Sequence, residues 1–219
     1  NSFSIYMLKI AHRGSSDRYG DNNMISFYEA HLNGFDIIEL DVQLCSTGQI
    51  VVYHDTYINN NFIADTSFEE LKLLNIPTLN DVFKAFVKTN IKLFLDIKGD
   101  HLVIYPIIDL IKKFFSYEDM NRLFISGFDR FFVDILHNAD LNVHIGLTTS
   151  NSFNIEQLPF MTKHCSFVCI DWTALNHYSI SILHNLNLLV FSFTCSDNFI
   201  LNHMKSFQLD GIVSNFFFD

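Results

Sequence analysis

The segment Asp36–Gln43 has the sequence DIIELDVQ, and this stretch decides the fold class of the chain. Side chains of a β-strand alternate between two faces, so the segment separates into an apolar face and a face that carries charge. The charged face holds Glu39 and Asp41. The opposite face is suited to packing against helices, and it consists of Ile38, Leu40 and Val42. This pattern predicts one strand of an α/β protein.

Similar strand-length apolar runs alternate with helix-length segments along the chain. The predicted strands are Met7–His12, Asp36–Gln43, Ile91–Lys98, Arg122–Ser126, Asn142–Leu147, Phe167–Trp172, Leu188–Thr194 and Gly211–Ser214. The predicted helices are Ile25–Asn33, Leu79–Lys88, Leu102–Phe115, Arg130–Asn138, Ile155–Lys163, Leu175–Asn185 and Phe199–Phe207. Repeating strand–helix units indicate a parallel sheet, and eight such strands favour a closed (β/α)8 TIM barrel over an open sheet.

The segment Asp55–Pro77 interrupts this alternation. It predicts a short insertion after the second strand region, made of a loop and the helix Ser67–Leu74, over the end of the barrel where active sites lie. No linker rich in proline, serine or glycine divides the chain. We therefore predict a single domain over residues 1–219.

The composition excludes several classes of protein. Apolar residues make up 49% and charged residues 17% of the 219 residues, as in a packed globular protein. The net charge of −10 argues against general binding to nucleic acid or to anionic membranes. No apolar run approaches the roughly 18 residues of a spanning helix, so we expect no transmembrane segment and a cytoplasmic location by default. The four cysteines lack zinc-ligand spacing and are expected to be reduced thiols.

The carboxylates of Glu39 and Asp41 lie next to each other on the predicted inward face. Two buried carboxylates repel each other, and each costs several kcal/mol to remove from water unless it is paired. A hard cation such as Mg²⁺ or Ca²⁺, which prefers carboxylate oxygens, would relieve this repulsion. The alternative is a pair of structural salt bridges to lysine or arginine.

The predicted strand Ile91–Lys98 repeats the arrangement, because Asp96 and Lys98 share one of its faces. A barrel strand beside the DIIELDVQ segment would bring Asp96 within reach of the same ion. Lys98 would then lie at the same rim, where its ammonium is suited to a phosphate oxygen. The alternative is an ordinary Asp–Lys pair at a strand end.

Two histidines follow apolar strands at the positions where a barrel places its chemistry. His12 closes the first predicted strand and is followed by Arg13, and His54 ends the run Ile50–His54. Imidazole titrates near neutral pH, so one histidine can act as general base and the other as general acid. The guanidinium of Arg13 can bind a phosphate group through two hydrogen bonds. Together these groups indicate phosphoryl chemistry.

The same residues fall in a series of ordered motifs. These are AHRG at Ala11–Gly14, Asp21–Asn22, ELDVQ at Glu39–Gln43, VVYHD at Val51–Asp55, Ile76–Leu79, Leu95–Lys98, Phe193–Thr194 and Asp210–Val213. The series resembles the motifs of the glycerophosphodiester phosphodiesterase family. Matching positions are frequent over the first 55 residues and few after Lys98. The chain departs from the family pattern in having Asp at 21 and 96 where Glu is usual, Phe193 for Trp, and Ser214–Asn215 for a Thr-Asp pair.

The resemblance implies a TIM barrel with one divalent cation, Mg²⁺ or Ca²⁺, held by Glu39, Asp41 and Asp96. It implies hydrolysis of small glycerophosphodiesters to glycerol 3-phosphate and an alcohol, with His12 and His54 as acid and base in either order. The attacking group would be the glycerol 2-hydroxyl, which gives a cyclic phosphate, or water. The alternatives are a phospholipase D-like enzyme acting on lysolipids or sphingolipids, and a binding module without turnover.

Overall fold

A closed barrel of eight parallel strands forms the centre of the molecule. The computed structural model describes residues 7–152 and 154–219, so residues 1–6 and 153 of the predicted domain lie outside the described part. The strands are β1 Leu8–Ala11, β2 Ile37–Leu44, β3 Lys92–Ile97, β4 Leu123–Gly127, β5 His144–Thr149, β6 Phe167–Asp171, β7 Leu189–Cys195 and β8 Gly211–Ser214. Consecutive strands pair in parallel, and β1 pairs with both β2 and β8, which closes the ring. The predicted α/β barrel is confirmed.

The two faces of each strand have different surroundings, as the alternation in β2 predicts. The residues that point inward form one apolar cluster inside the barrel: Ile10, Ile37, Phe94, Phe124, Phe167, Cys169, Phe191 and Val213. On the other face of β2, Ile38, Leu40 and Val42 belong to a larger cluster that includes the surrounding helices. The apolar cluster therefore lies deeper in the barrel than the carboxylates of β2, because Ile37 precedes Glu39 by two residues on the same inward face.

The helices lie outside the barrel. They are α1 Ser16–Tyr19, α2 Met24–Leu32, α3 Phe68–Leu73, α4 Leu79–Phe86, α5 Ile104–Phe114, α6 Phe131–Asn138, α7 Leu158–Met161, α8 His177–Asn185 and α9 Asn198–Met204. The prediction over Ile155–Lys163 is wrong in extent, because a 3₁₀ turn at Ile155–Gln157 precedes a helix that starts at Leu158. Pro159 lacks an N–H group and fits the first turn of this helix. In the described ranges, no helix has the length and apolar character needed to cross a membrane.

The insertion after β2 contains more regular structure than predicted. The strand Ile50–Val52 runs antiparallel to β2, and a small hairpin joins Tyr57–Ile58 to Asn61–Phe62. The hairpin turn consists of Asn59 and Asn60, which both have positive φ. Asparagine tolerates this conformation, so the Asn-Asn pair was the available sequence signal for a two-residue turn. The predicted helix Ser67–Leu74 is present as α3.

The absence of a side chain at Gly146 makes room for the ring of Phe167. These residues are neighbours in the register of β5 and β6, and a Cβ at position 146 would overlap the Phe167 ring. Phe167 is fully buried and packs edge to face against Phe94 at a centroid distance of 5.4 Å. The barrel interior is therefore filled by interlocking small and large residues.

We predict that Gly146→Ala lowers the free energy of unfolding by about 1–3 kcal/mol, because the added methyl group overpacks the interior. Urea denaturation would measure this change as a lower midpoint with an unchanged slope. In the double variant with Phe167→Leu, the smaller side chain should relieve the overlap, so the combined loss should be less than the sum of the two single losses. An unchanged midpoint for Gly146→Ala would contradict this packing.

Candidate active site

Three carboxylates meet at the C-terminal end of two neighbouring barrel strands. Glu39 and Asp41 point inward from β2, and Asp96 of β3 is the direct register partner of Asp41. All three residues are buried, and one oxygen from each lies within 4.8 Å of the others. The structure therefore brings together the three predicted metal ligands in a geometry that could hold one cation. Oxygen atoms of this kind suit Mg²⁺ or Ca²⁺.

Burial and the proximity of the carboxylates raise the pKa values of two of them, Glu39 and Asp96. Burial, together with the charges of Asp41 and Asp96, raises the pKa of Glu39 well above its usual value of 4.5. Burial also raises the pKa of Asp96, although Lys98 partly counters this effect. A raised carboxylate pKa means that the ionised form is disfavoured, so a positive charge placed between the three groups is favoured.

Two basic side chains reach the carboxylates from the rim. The Lys98 ammonium lies 2.5 Å from Asp96 Oδ2 and 3.2 Å from Asp41 Oδ1. The Arg13 Nε atom lies 3.1 Å from Asp41 Oδ2, and its Nη1 atom lies 2.7 Å from Asp21 Oδ2. Burial lowers the pKa of Lys98, but Asp96 and Asp41 outweigh burial and raise it above 10.5. Salt bridges, the alternative to a metal site, are thus present among the same residues.

The loop after β1 supplies further hydrogen bonds to the carboxylates. The backbone N–H of Arg13 donates to Glu39 Oε2 at 2.9 Å. The amide of Asn22 donates to Asp41 Oδ2 at 2.7 Å, and the Asp41 N–H donates to Asn22 Oδ1 at 3.2 Å. Arg13 and Asn22 both have positive φ, and a Cβ at Gly14 would overlap Ser26. The Arg13-Gly14 pair therefore lets the loop turn tightly toward the barrel axis.

His12 follows β1 and is held by a residue from the far end of the chain. Its Nδ1 atom lies 2.6 Å from Asn215 Oδ1, and its backbone N–H donates to the Ser214 carbonyl at 2.9 Å. Burial and the neighbouring charge of Arg13 lower the pKa of His12, against the opposing hydrogen bond with Asn215. An acceptor at Asn215 Oδ1 places the proton on Nδ1 and leaves Nε2 with a lone pair. His12 is therefore suited to accept a proton.

His54 has a more open environment than His12. It lies beyond the strand Ile50–Val52, its side chain is 41% exposed, and its Nδ1 atom lies 2.7 Å from Asp55 Oδ1. The two histidines thus differ in burial and in partner.

A single cleft contains all seven residues that the sequence predicts: His12, Arg13, Glu39, Asp41, His54, Asp96 and Lys98. The other wall of this cleft is mostly apolar and includes Phe94, Phe128, Thr148, Cys169, Phe193, Thr194 and Val213. Sequence reasoning missed Thr148, whose hydroxyl donates to Asp96 Oδ1 at 3.3 Å and pairs with Ser126 at 2.6 Å. Thr148 lies one residue beyond the predicted strand Asn142–Leu147, and β4 and β5 carry no charged residue, so little in the sequence pointed to it.

A TIM barrel whose strand ends place acidic, basic and imidazole groups in one cleft is typical of enzymes that act on phosphate esters. The particular family follows from comparison with known proteins. The model of the glycerophosphoryl diester phosphodiesterase family matches residues 12–217. The chain belongs to this family, as the sequence motifs predict.

Similar proteins include a glycerophosphodiester phosphodiesterase of Caldanaerobacter subterraneus subsp. tengcongensis, 33% identical over 64% of this chain and 65% of that protein. A glycerophosphodiester phosphodiesterase of Bacillus altitudinis is 26% identical over 96% of this chain and 95% of that protein. The first alignment thus spans slightly less than two thirds of its relative, and the second nearly all of it.

Solved structures share the fold. A phosphodiesterase of Oleispira antarctica, solved with the product sn-glycerol-3-phosphate, covers 95% of this chain and 93% of its own chain, with a TM-score of 0.85 and 22% identity. A glycerophosphodiester phosphodiesterase of Thermotoga maritima covers 96% of this chain and 95% of its own, with a TM-score of 0.80 and 23% identity. These similarities confirm the predicted barrel.

We predict that Mg²⁺ or Ca²⁺ raises the melting temperature of the protein, and that Glu39→Gln removes this effect. A cation at about one hundred times its dissociation constant stabilises the folded state by about 2.7 kcal/mol. Glutamine keeps the acceptor for the Arg13 N–H but lacks the charge, so the metal-free variant should be at least as stable as the unmodified protein. Thermal denaturation with each cation and with EDTA measures both effects.

The matched control is Asp140→Asn, which also removes one negative charge. Asp140 is exposed, lies just after α6 and has a positive φ. Asparagine accepts this backbone conformation, so the control should keep the full stabilisation by the cation. An equal response of Glu39→Gln and the unmodified protein would place the cation elsewhere.

Proposed function

We propose that this chain hydrolyses glycerophosphodiesters to glycerol 3-phosphate and an alcohol, with one divalent cation. The observation that carries the proposal is the cleft itself, in which the buried carboxylates of Glu39, Asp41 and Asp96 adjoin two histidines and two basic side chains. Membership of the phosphodiesterase family gives the reaction class. The glycerol 3-phosphate bound to the Oleispira antarctica relative supports the glycerophosphate half of the substrate.

The acidic cluster fits a resident cation, and Glu39, Asp41 and Asp96 would hold it. Burial raises the pKa of Glu39 and of Asp96, and the neighbouring carboxylates add to this effect, so their ionised forms are not fully compensated by the protein alone. When bound, Mg²⁺ or Ca²⁺ acts as a Lewis acid toward a phosphate oxygen and stabilises the charge of the transition state.

The basic residues are proposed to bind the phosphate group. Arg13 and Lys98 line the same cleft, and their side chains are only 19% and 14% exposed. Charge–charge attraction is strong in such a water-poor site. The guanidinium of Arg13 can offer two parallel N–H groups to phosphate oxygens, while the Lys98 ammonium acts as a compact positive charge.

The two histidines are proposed to move the protons. His12 is neutral near pH 7 because burial lowers its pKa, and its free Nε2 atom takes a proton from the attacking hydroxyl, either the glycerol 2-hydroxyl or water. The oxygen of that hydroxyl forms a bond to phosphorus as the bond to the alcohol oxygen breaks. When the 2-hydroxyl attacks, the product of this step is a cyclic phosphate, and a water molecule then adds to its phosphorus and breaks the bond to the 2-oxygen to give glycerol 3-phosphate. His54, next to the Asp55 carboxylate, donates a proton to the departing alcohol oxygen. The remaining proton on His12 Nδ1 is held by Asn215 throughout.

We predict metal-dependent release of glycerol 3-phosphate from a panel of glycerophosphodiesters, and a loss of about 10²–10⁴-fold in kcat for His12→Ala and for His54→Ala. The panel should be assayed with Mg²⁺, with Ca²⁺ and with EDTA, and each variant should be checked for an unchanged melting temperature. His31→Ala is the control, since His31 lies on α2 away from the cleft. Near-normal turnover by both variants would refute the proposed proton transfers.

A second candidate function is cleavage of lysolipids, as in phospholipase D-like relatives of this barrel. The apolar wall favours it, because Phe128 is 51% exposed beside Lys98, with the ammonium 5.4 Å from the ring centroid. The neighbouring Phe131 is 72% exposed and packs against His101 at a centroid distance of 5.3 Å. Phe128 lines the cleft and packs edge to face against Phe193, and exposed aromatic surface of this kind next to a phosphate site can receive an acyl chain.

A comparison of glycerophosphocholine with lysophosphatidylcholine separates the two candidates. We predict a higher kcat/KM for glycerophosphocholine, because the cleft is small and bounded by Phe128 and Phe193. Phe128→Ala should then change the ratio of the two kcat/KM values by less than about tenfold, which is below the usual effect of one methylene group bound in an apolar pocket. A preference of the unmodified protein for lysophosphatidylcholine, reduced by Phe128→Ala, would establish the second candidate instead.

A further inference from the structure

Gln43 is the last inward-pointing polar residue of β2 and contacts the loop that carries His54. It follows Glu39 and Asp41 on the same face of the strand and is only 3% exposed. Its Nε2 atom donates to the Tyr53 carbonyl at 2.7 Å and to the Asp55 carbonyl at 2.8 Å. A primary amide carries two N–H groups, so both of them are used here.

The two carbonyl groups that Gln43 binds belong to Tyr53 and Asp55, the residues immediately before and after His54. The strand Ile50–Val52 has already ended, and the Tyr53 N–H donates to the Asp41 carbonyl at 3.1 Å. The His54 side chain is 41% exposed, and its partner Asp55 has a side chain that is 56% exposed. An exposed pair of this kind contributes little to holding itself in place. The hydrogen bonds from β2 therefore hold the backbone on both sides of His54.

The chemistry of the side chain at position 43 determines whether this contact can form. Glutamate of the same length has no N–H group and would direct a negative oxygen at two carbonyl oxygens. Methionine of similar length offers no donor at all. Either residue would leave the two carbonyl groups without these hydrogen bonds.

We infer that Gln43 is a positioning residue for His54, which holds the backbone on both sides of the proposed acid. The inference rests on the proposed function, because Gln43 would act through the proton transfer of His54. It assigns a second task to β2. The strand carries the carboxylates Glu39 and Asp41, and two residues later it carries the support for the histidine, so both parts of the cleft share one rigid element.

The test is a double-mutant cycle of Gln43→Met with His54→Ala, measured as kcat and KM on the best substrate of the panel. A histidine displaced by about 1 Å loses alignment, so Gln43→Met should lower kcat about 10- to 100-fold while KM stays within about threefold. In the His54→Ala background, the same change should have little further effect, because the group that Gln43 positions is already absent. The cation affinity should be unchanged, since the three carboxylates remain.

The matched control is Gln49→Met, which makes the same replacement at an exposed position of the same β-hairpin. It should keep full kcat. If Gln43→Met fails to fold, Gln43→Asn replaces it in the cycle, because asparagine keeps the amide but is one methylene shorter. Losses that multiply fully in the double variant would show a general structural role and overturn the inference, as would an unchanged kcat in Gln43→Met.

Hydrogen–deuterium exchange separates failure of this inference from failure of the proposed function. If the unmodified protein turns over no substrate, the proposed function fails, and the exchange of the amides at 53–57 still decides the role of Gln43. Faster exchange at these amides in Gln43→Met, but not in Gln49→Met, supports the positioning role. Equal exchange in all three proteins overturns it.

Discussion

The mutual repulsion of the buried carboxylates of Glu39, Asp41 and Asp96 is the constraint on which the rest of the cleft depends. The parallel register of β2 and β3 places Asp41 directly beside Asp96, and water is largely excluded from all three groups. Removing such charges from water costs several kcal/mol per ion unless other groups compensate. Lys98 and Arg13 supply positive charge at this point, and the proposed cation would add to it.

The same constraint explains the geometry of the loop after β1. A backbone N–H of Arg13 and the side-chain amide of Asn22 both point at carboxylate oxygens, and both residues adopt positive φ to do so. Such backbone conformations are sparsely populated and persist when the surroundings enforce them. The strain is concentrated where the loop meets the carboxylates, which is typical of a functional site.

The two histidines show how one barrel gives the same side chain different properties. His12 is enclosed between the ends of β1 and β8 and pairs with the neutral Asn215, whereas His54 lies in an open loop beside the charged Asp55. Burial disfavours the imidazolium form of His12 and so lowers its pKa. The difference in surroundings, and not in residue type, is what separates the proposed base from the proposed acid.

The sequence by itself determined the strand–helix alternation and the identity of the three carboxylates, because strand periodicity is a local property that eight residues of β2 already display. It did not determine the hairpin of Tyr57–Ile58 with Asn61–Phe62, whose strands are too short to show a period. Only the tertiary structure decided that Asn215 pairs with His12, 203 positions away, and that Thr148 reaches Asp96 across 52 positions. Closing the barrel brings β8 beside β1, and no local pattern encodes which side chains then meet.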